Sequence, residues 1–181
     1  YIGLSKTSSL YIIPNIFQSI SDYSTAHPSS TGDIISDSRM NNKVNFVHYD
    51  QKGNLEVYQE EGKNYTVLIW GYRYTRPILK IENVSNYQYI QNLTSDIRSK
   101  SNVDNDRTLG FTGREGQLRK AVDNLRNLNE ESTHHWKITS YTYDPLIGIT
   151  SITDPRGETV YYHYDDFNRL EFIKGDEGKI L

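Results

Sequence analysis

At 181 residues the chain is long enough to bury a core, and a net charge of −3 with no long basic run gives no electrostatic footprint for nucleic acid. With no cysteine it has neither a disulfide framework nor a thiolate metal site, and no run approaches the ~18 apolar residues of a membrane helix. Fifteen tyrosines against five phenylalanines and two tryptophans suit surfaces that are apolar on one side and wet on the other.

Residues 1–43 are rich in Ser, Thr, Asn and Asp, with apolar islands at Leu10–Ile13 and Ile34–Ile35, and read as strands and loops without an identifiable repeat. From Val44 to Tyr58 the alternation predicts a hairpin, with Asp50-Gln51-Lys52-Gly53-Asn54 as its turn. Tyr65 to Tyr74 is a continuous aromatic and β-branched run, which predicts a central strand covered on both faces. Thr75-Arg76-Pro77 breaks it, and Ile78–Glu82 is the expected return strand.

Two helices are predicted to interrupt the sheet. In the first, Ser85 is the candidate cap and Ile90, Leu93 and Ile97 share a face. In the second, Arg114–Asn129, Leu118, Val122, Leu125 and Leu128 fall at helical steps, and Arg119, Lys120 and Arg126 are expected to face water. Ser99–Arg107 between them is polar and expected to be a mobile loop. The expected organisation is an irregular segment 1–43, hairpins over 44–83, a helical insertion over 84–135 and a tandem repeat over 136–181.

That repeat organises the chain. Tyr141–Gly157 and Tyr162–Gly178 can be laid over each other at an offset of 21 residues, aligning Tyr143 with Tyr164, Asp144 with Asp165, Ile152 with Ile173 and Gly157 with Gly178. A recurrence at ~20 to 50 residues marks a repeat architecture. Each copy has an alternating aromatic strand, an Asp turn, a second strand and a Gly-containing turn, so each is a hairpin feeding another hairpin.

The Y-x-Y-D pairs, Asn168-Arg169-Leu170, and the D-P-R-G and D-E-G turns resemble the YD-repeat, or Rhs (rearrangement hotspot), family. His48-Tyr49-Asp50 through Leu55 echoes the same spacing, and Ile69–Asn83 looks like a segment of large Rhs-type surface proteins of Bacteroidetes-like bacteria. The resemblance implies a mainly β antiparallel hairpin strip, part of a curling β-shell, decorated here by two short helices. Its repeat-defining residues are Tyr143, Asp144, Gly157, Tyr164, Asp165, Arg169 and Gly178. It implies a structural scaffold segment of a larger secreted or cell-surface protein of a Gram-negative bacterium, for enclosure, display or surface contact. The implied partners are further repeats or a partner chain at the open sheet edges, and an enclosed cargo polypeptide. The final strand, begun by Lys179-Ile180-Leu181 without a protective cap, leads to the expectation that the sheet continues.

Chemistry is weakly supported by the same residues. Asp144, Asp154, Asp165 and Asp176 recur in register with turns, which favours turn roles over acid–base pairs. His134-His135 as neighbours on an extended segment would point apart and fit one metal poorly. No nucleophile elbow is present, and the three N-x-S/T matches at Asn64, Asn83 and Asn92 are expected by chance in an Asn-rich chain. Some Rhs proteins carry an aspartate autoprotease, but the Asp154-Pro155-Arg156-Gly157 element lies inside an ordinary repeat and is not assigned that role. The reading is therefore non-enzymatic, with no cofactor and no metal. The alternative is a carbohydrate- or ligand-binding surface module using Trp70 and Trp136 as exposed aromatics.

Overall fold

The computed structural model describes residues 9–12, 27–31, 34–35 and 41–181. The early strands are β1 (Ser9–Ile12), β2 (His27–Pro28) and β3 (Ile34–Ile35). Eight further strands follow: β4 (Asn41–Tyr49), β5 (Leu55–Glu60), β6 (Tyr65–Gly71), β7 (Arg76–Val84), β8 (Lys137–Asp144), β9 (Gly148–Thr153), β10 (Thr159–Tyr164) and β11 (Leu170–Gly175). These eight lie side by side in chain order, all antiparallel, and the sheet does not close. Strand β1 adds a ninth member beside β4, while β2 and β3 form a separate ribbon. The mainly β expectation holds. The rest of the first apolar island, and most of residues 1–40, lies outside the described residues.

Register explains the core. Val57, Val67, Ile81 and Ile138 sit opposite one another across four strands, and Ile69 and Leu79 form the next row. All six are at most 2% exposed. They meet Ile90, Ile97, Leu118, Val122 and Leu125, so the helices cover this one face of the sheet. On the opposite face Leu68 and Lys80 are paired and only half-buried, so β6 is sealed on one side, not on both.

The helical layer differs from its predicted form. Among the described residues there are three helices: α1 (Tyr87–Leu93), α2 (Ser95–Val103) and α3 (Gly113–Glu130). The first expected helix is broken at Thr94, whose hydroxyl bonds back to the Ile90 carbonyl. Its cap is Asn86, one residue after Ser85, with the side chain accepting from the Tyr89 N–H. Most of the expected loop Ser99–Arg107 is helix to Val103. That segment lacked apolar periodicity because α2 docks through polar groups. Arg98 donates to the Trp70 carbonyl and to buried Glu56, and Ser101 is fully buried.

Helix α3 confirms the expected span but shows a different face. Leu118, Val122 and Leu125 are buried, whereas Leu128 is 38% exposed. Arg119 and Arg126, expected to be wet, are 7% and 8% exposed, and only Lys120 faces water as predicted. Glu115, Arg119, Val122 and Arg126 advance by four, three and four, so they share a stripe beside the apolar one. Arg126 donates to the carbonyls of Ile138 and Asp154 at 2.7 and 2.9 Å and to the Ser140 hydroxyl at 3.1 Å. The guanidinium thus takes up acceptors at the β8–β9 seam that a leucine would leave unpaired.

The burial contrast within α3 gives a direct check. Leu125→Ala is expected to destabilise by roughly 2–4 kcal/mol, and Leu128→Ala by less than about 0.5 kcal/mol. Chemical denaturation of the two variants measures this, and equal losses would contradict the packing described.

Candidate functional site

The repeat-defining residues build two recurring devices. The first is a five-residue turn. In each of Asp50–Asn54, Asp154–Glu158 and Asp165–Arg169, the leading Asp accepts the N–H of the fourth residue at its carbonyl. Its own N–H donates to the fifth residue's carbonyl, and its Oδ1 accepts the third and fifth N–H groups. The fourth position needs positive φ, which Gly53, Gly157 and Asn168 supply at 83°, 89° and 62°. Gly175–Lys179 repeats the backbone bonds without the Asp, and Gly178 stands at φ 75°.

These bonds hold the turn carboxyls below the ordinary range. Partial desolvation opposes the shift at Asp50 and Asp154, but accepted N–H bonds, and at Asp154 also Arg156, outweigh it. For Asp165 the bond from the Arg169 N–H leads, and the Arg169 guanidinium adds to it. Asp144 is a variant of the device. It accepts the Leu146 N–H at Oδ1 and Arg107 Nε at Oδ2, 2.9 and 2.7 Å away. Asp144 and Asp165 therefore each serve their own turn and form no carboxylate pair.

The second device is a tyrosine brace. The Tyr143 hydroxyl donates to the Pro77 carbonyl at 2.9 Å, and the Tyr164 hydroxyl donates to the Ile149 carbonyl at 2.8 Å. In both cases the acceptor belongs to the preceding strand of the sheet, β7 for β8 and β9 for β10. Each tyrosine directly follows a register shift, in the β8–β9 and β10–β11 ladders respectively. Burial raises Tyr143 to about 12, so the phenol keeps its proton and donates at every physiological pH. The equivalence expected from the 21-residue offset is present in the bonding.

The tryptophans are used internally. Trp136 is 6% exposed and stacks on His134 with ring centroids 4.3 Å apart. Trp70 is half-buried and donates to the Leu55 carbonyl at 2.8 Å. His134 and His135 lie in the connection before β8, with His135 at φ 55°.

A third cluster escaped the sequence reading. Asp104, Asp106 and Glu115, in and after the α2–α3 connection, each bring a carboxylate oxygen within 4.8 Å of the others. Asp104 is 6% and Glu115 1% exposed. Oδ2 of Asp104 accepts from the Tyr72 hydroxyl at 2.6 Å, and that hydroxyl in turn accepts the Tyr143 N–H at 2.9 Å. Asp106 accepts the N–H groups of Arg114 and Glu115 at 2.6 and 3.2 Å, which ties it to the start of α3. Oε1 of Glu115 accepts from Arg119, Thr142 and Thr150 at 2.5, 2.7 and 2.7 Å. Among the described residues, only Glu115 Oε2 and His163 Nε2 are buried side-chain polar atoms with no hydrogen-bond partner. Desolvation raises Asp104 to about 6; the Tyr72 bond works against the rise and the Glu115 charge adds to it. Asp106 is lowered, since the bonds it accepts outweigh its desolvation. The signal in the sequence was the acidic spacing Asp104-x-Asp106, in the stretch expected to be a polar loop, followed by Glu115 at the start of the second expected helix.

Among the described residues no helix is long and apolar enough to cross a membrane, which says nothing about crossing by strands.

Two outcomes are expected. Tyr164→Phe removes one brace and should cost on the order of 1 kcal/mol in urea unfolding, with no loss from Tyr162→Phe of comparable size. For Asp104 the folded value near 6 exceeds the ordinary 3.8. The folded chain therefore holds a proton that the unfolded chain has released. Its stability contribution is complete below pH ~4, falls as pH rises to ~6 and is flat above that. In metal-free buffer Asp104→Asn should gain melting temperature relative to the parent across that interval, and parallel curves would contradict the assignment.

No protein-family model matches the chain, and no curated protein is significantly similar to it.

Proposed function

We propose that the chain is a structural scaffold, a segment of an antiparallel hairpin strip of the YD-repeat (Rhs) kind, working by enclosure, display or surface contact without chemistry of its own. The observation that carries this reading is the recurrence of one bonding unit: an Asp-led turn, and a tyrosine hydroxyl on the preceding strand's carbonyl, repeated in successive hairpins. A unit that bonds only to its neighbour is suited to extension, since stability then adds repeat by repeat. The strip also offers its edge. After Gly178 the chain turns back, with Ile180 bridging Lys174 and the Leu181 N–H reaching the Ile173 carbonyl at 3.0 Å. On this reading the partners are further repeats or a partner chain at that edge, and an enclosed cargo. The setting is a larger secreted or cell-surface protein of a Gram-negative bacterium. The ligand-binding alternative gains no support from Trp70 and Trp136, whose rings are engaged within the fold.

The test is a tandem duplication of residues 154–174, which adds one turn–strand–turn–strand unit. An additive scaffold should show a higher melting temperature and a steeper denaturant dependence, in proportion to added buried surface. An inserted unit that is protease-sensitive, with melting unchanged, would refute the strip as an extendable structure.

A further inference from the structure

We propose that the loop from Asp104 to Glu115 is a binding site for a single divalent cation of the calcium class. The inference is independent of the scaffold reading. The twelve residues from Asp104 to Glu115 run from the end of α2 at Val103 into the first turn of α3, which begins at Gly113, the tenth position. Calcium loops of this length take oxygen ligands from positions 1, 3, 5, 7, 9 and 12, the seventh through its backbone carbonyl. Those positions are Asp104, Asp106, Thr108, Gly110, Thr112 and Glu115; each carries an oxygen, and the carbonyls of Thr108 and Gly110 also accept from the Arg119 guanidinium. The sharp turn that a glycine makes at position 6 falls one residue later, since Leu109 holds position 6 and Gly110 has φ 65°.

Charge and satisfaction argue for the ion beyond the spacing. Three carboxylates converge within 4.8 Å, and the guanidinium bonded to them is Arg119, on Glu115. That leaves two negative charges to balance, the charge of one divalent cation. The buried Oε2 of Glu115 lacks any partner, a costly state for a carboxylate oxygen unless something positive reaches it. Asp104 keeps lone pairs beyond the bonds it accepts, whereas Asp106 already accepts four, from the N–H groups of Arg114 and Glu115 and from the N–H and hydroxyl of Thr108. With oxygen donors only, and neither sulfur nor imidazole in the cluster, zinc and copper are disfavoured. An irregular loop closed by protein oxygens suits calcium better than magnesium, which demands tight octahedral geometry and retains its waters. The ion would also join α2, α3 and, through Tyr72, the β8 backbone.

The experiment is calorimetric titration of the chelator-treated full chain with Ca2+ and separately with Mg2+, together with melting curves in each ion. One saturable Ca2+ site is expected, with a higher melting temperature in Ca2+ and a smaller response to Mg2+. Asp104→Asn, which keeps an acceptor for Tyr72, should weaken Ca2+ affinity by at least ~10-fold, and Glu115→Gln should do the same. Near-UV circular dichroism verifies that both variants fold, and the ion-induced melting shift of the unaltered chain stands even if Glu115→Gln does not. No saturable binding, equal binding of Mg2+, or unchanged Ca2+ affinity in Asp104→Asn would overturn the proposal.

Discussion

Charge taken out of water governs how the helical layer sits on the sheet. Between α3 and strands β8 and β9 the contact is only partly apolar, because Glu115, Arg119 and Arg126 are buried beside Leu118 and Val122. Removing such groups from water costs several kcal/mol per ion unless each donor and acceptor is met. Apart from Glu115 Oε2, the sheet meets them with Thr142, Thr150 and Ser140 and with main-chain carbonyls of Ile138 and Asp154. Small hydroxyl residues on β8 and β9 are therefore matched to one helix. An apolar contact would tolerate sliding, but these bonds fix both the height and the rotation of α3.

Where local spacing decides conformation, the sequence was readable. The 21-residue offset predicted equivalent hairpins; the tyrosine braces of Tyr143 and Tyr164 and the backbone-closed turns before Gly157 and Gly178 recur at that offset, whereas the Asp144 turn lacks the fifth-residue bonds of the Asp165 turn. The α3 span followed from its leucine periodicity, within one residue at either end. Which arginines would be buried was not readable by treating charge as solvent-facing. Arg119 and Arg126 lie on a stripe whose fate depends on whether the opposing strands supply acceptors, and that is a tertiary fact. For the same reason the second half of α2 was expected to be loop: beyond Ile97, Ser101 and Asn102 carry its docking by hydrogen bonds, which leave no hydrophobic period. Asp104 and Asp106 of the acidic cluster lay in the expected loop, while Glu115 lay in the expected second helix.

The two recurring devices divide their labour. The Asp turns are closed within five residues and set strand direction at the hairpin ends. The tyrosine braces act across the sheet, adding a side-chain bond between strands where the ladder shifts register, as at Thr142/Tyr143 and His163/Tyr164. A bulge leaves a ladder partner unmatched and bends the strand. A hydroxyl anchored on the adjoining strand limits how far that bend can travel.

The β6–β7 hairpin differs from its neighbours in how it turns. Tyr72, Arg73 and Tyr74 take φ of 46°, 59° and 68° in succession, a conformation that side chains with a Cβ disfavour. The N–H groups of Tyr72 and Arg73 are met by Ser101 and Asn102, 29 residues further along. The turn is closed internally only by Thr75, which donates to the carbonyls of Gly71 and Tyr72, so part of its stability comes from the distant helix. A chain emerging in order would have both strands available well before the residues that complete their connection. Closing that longer loop costs entropy which contacts within the hairpin do not return. The insertion therefore acts as a latch on the β6–β7 hairpin supplied from 29 residues away, whereas the hairpins that follow α3 are closed by residues of their own turns.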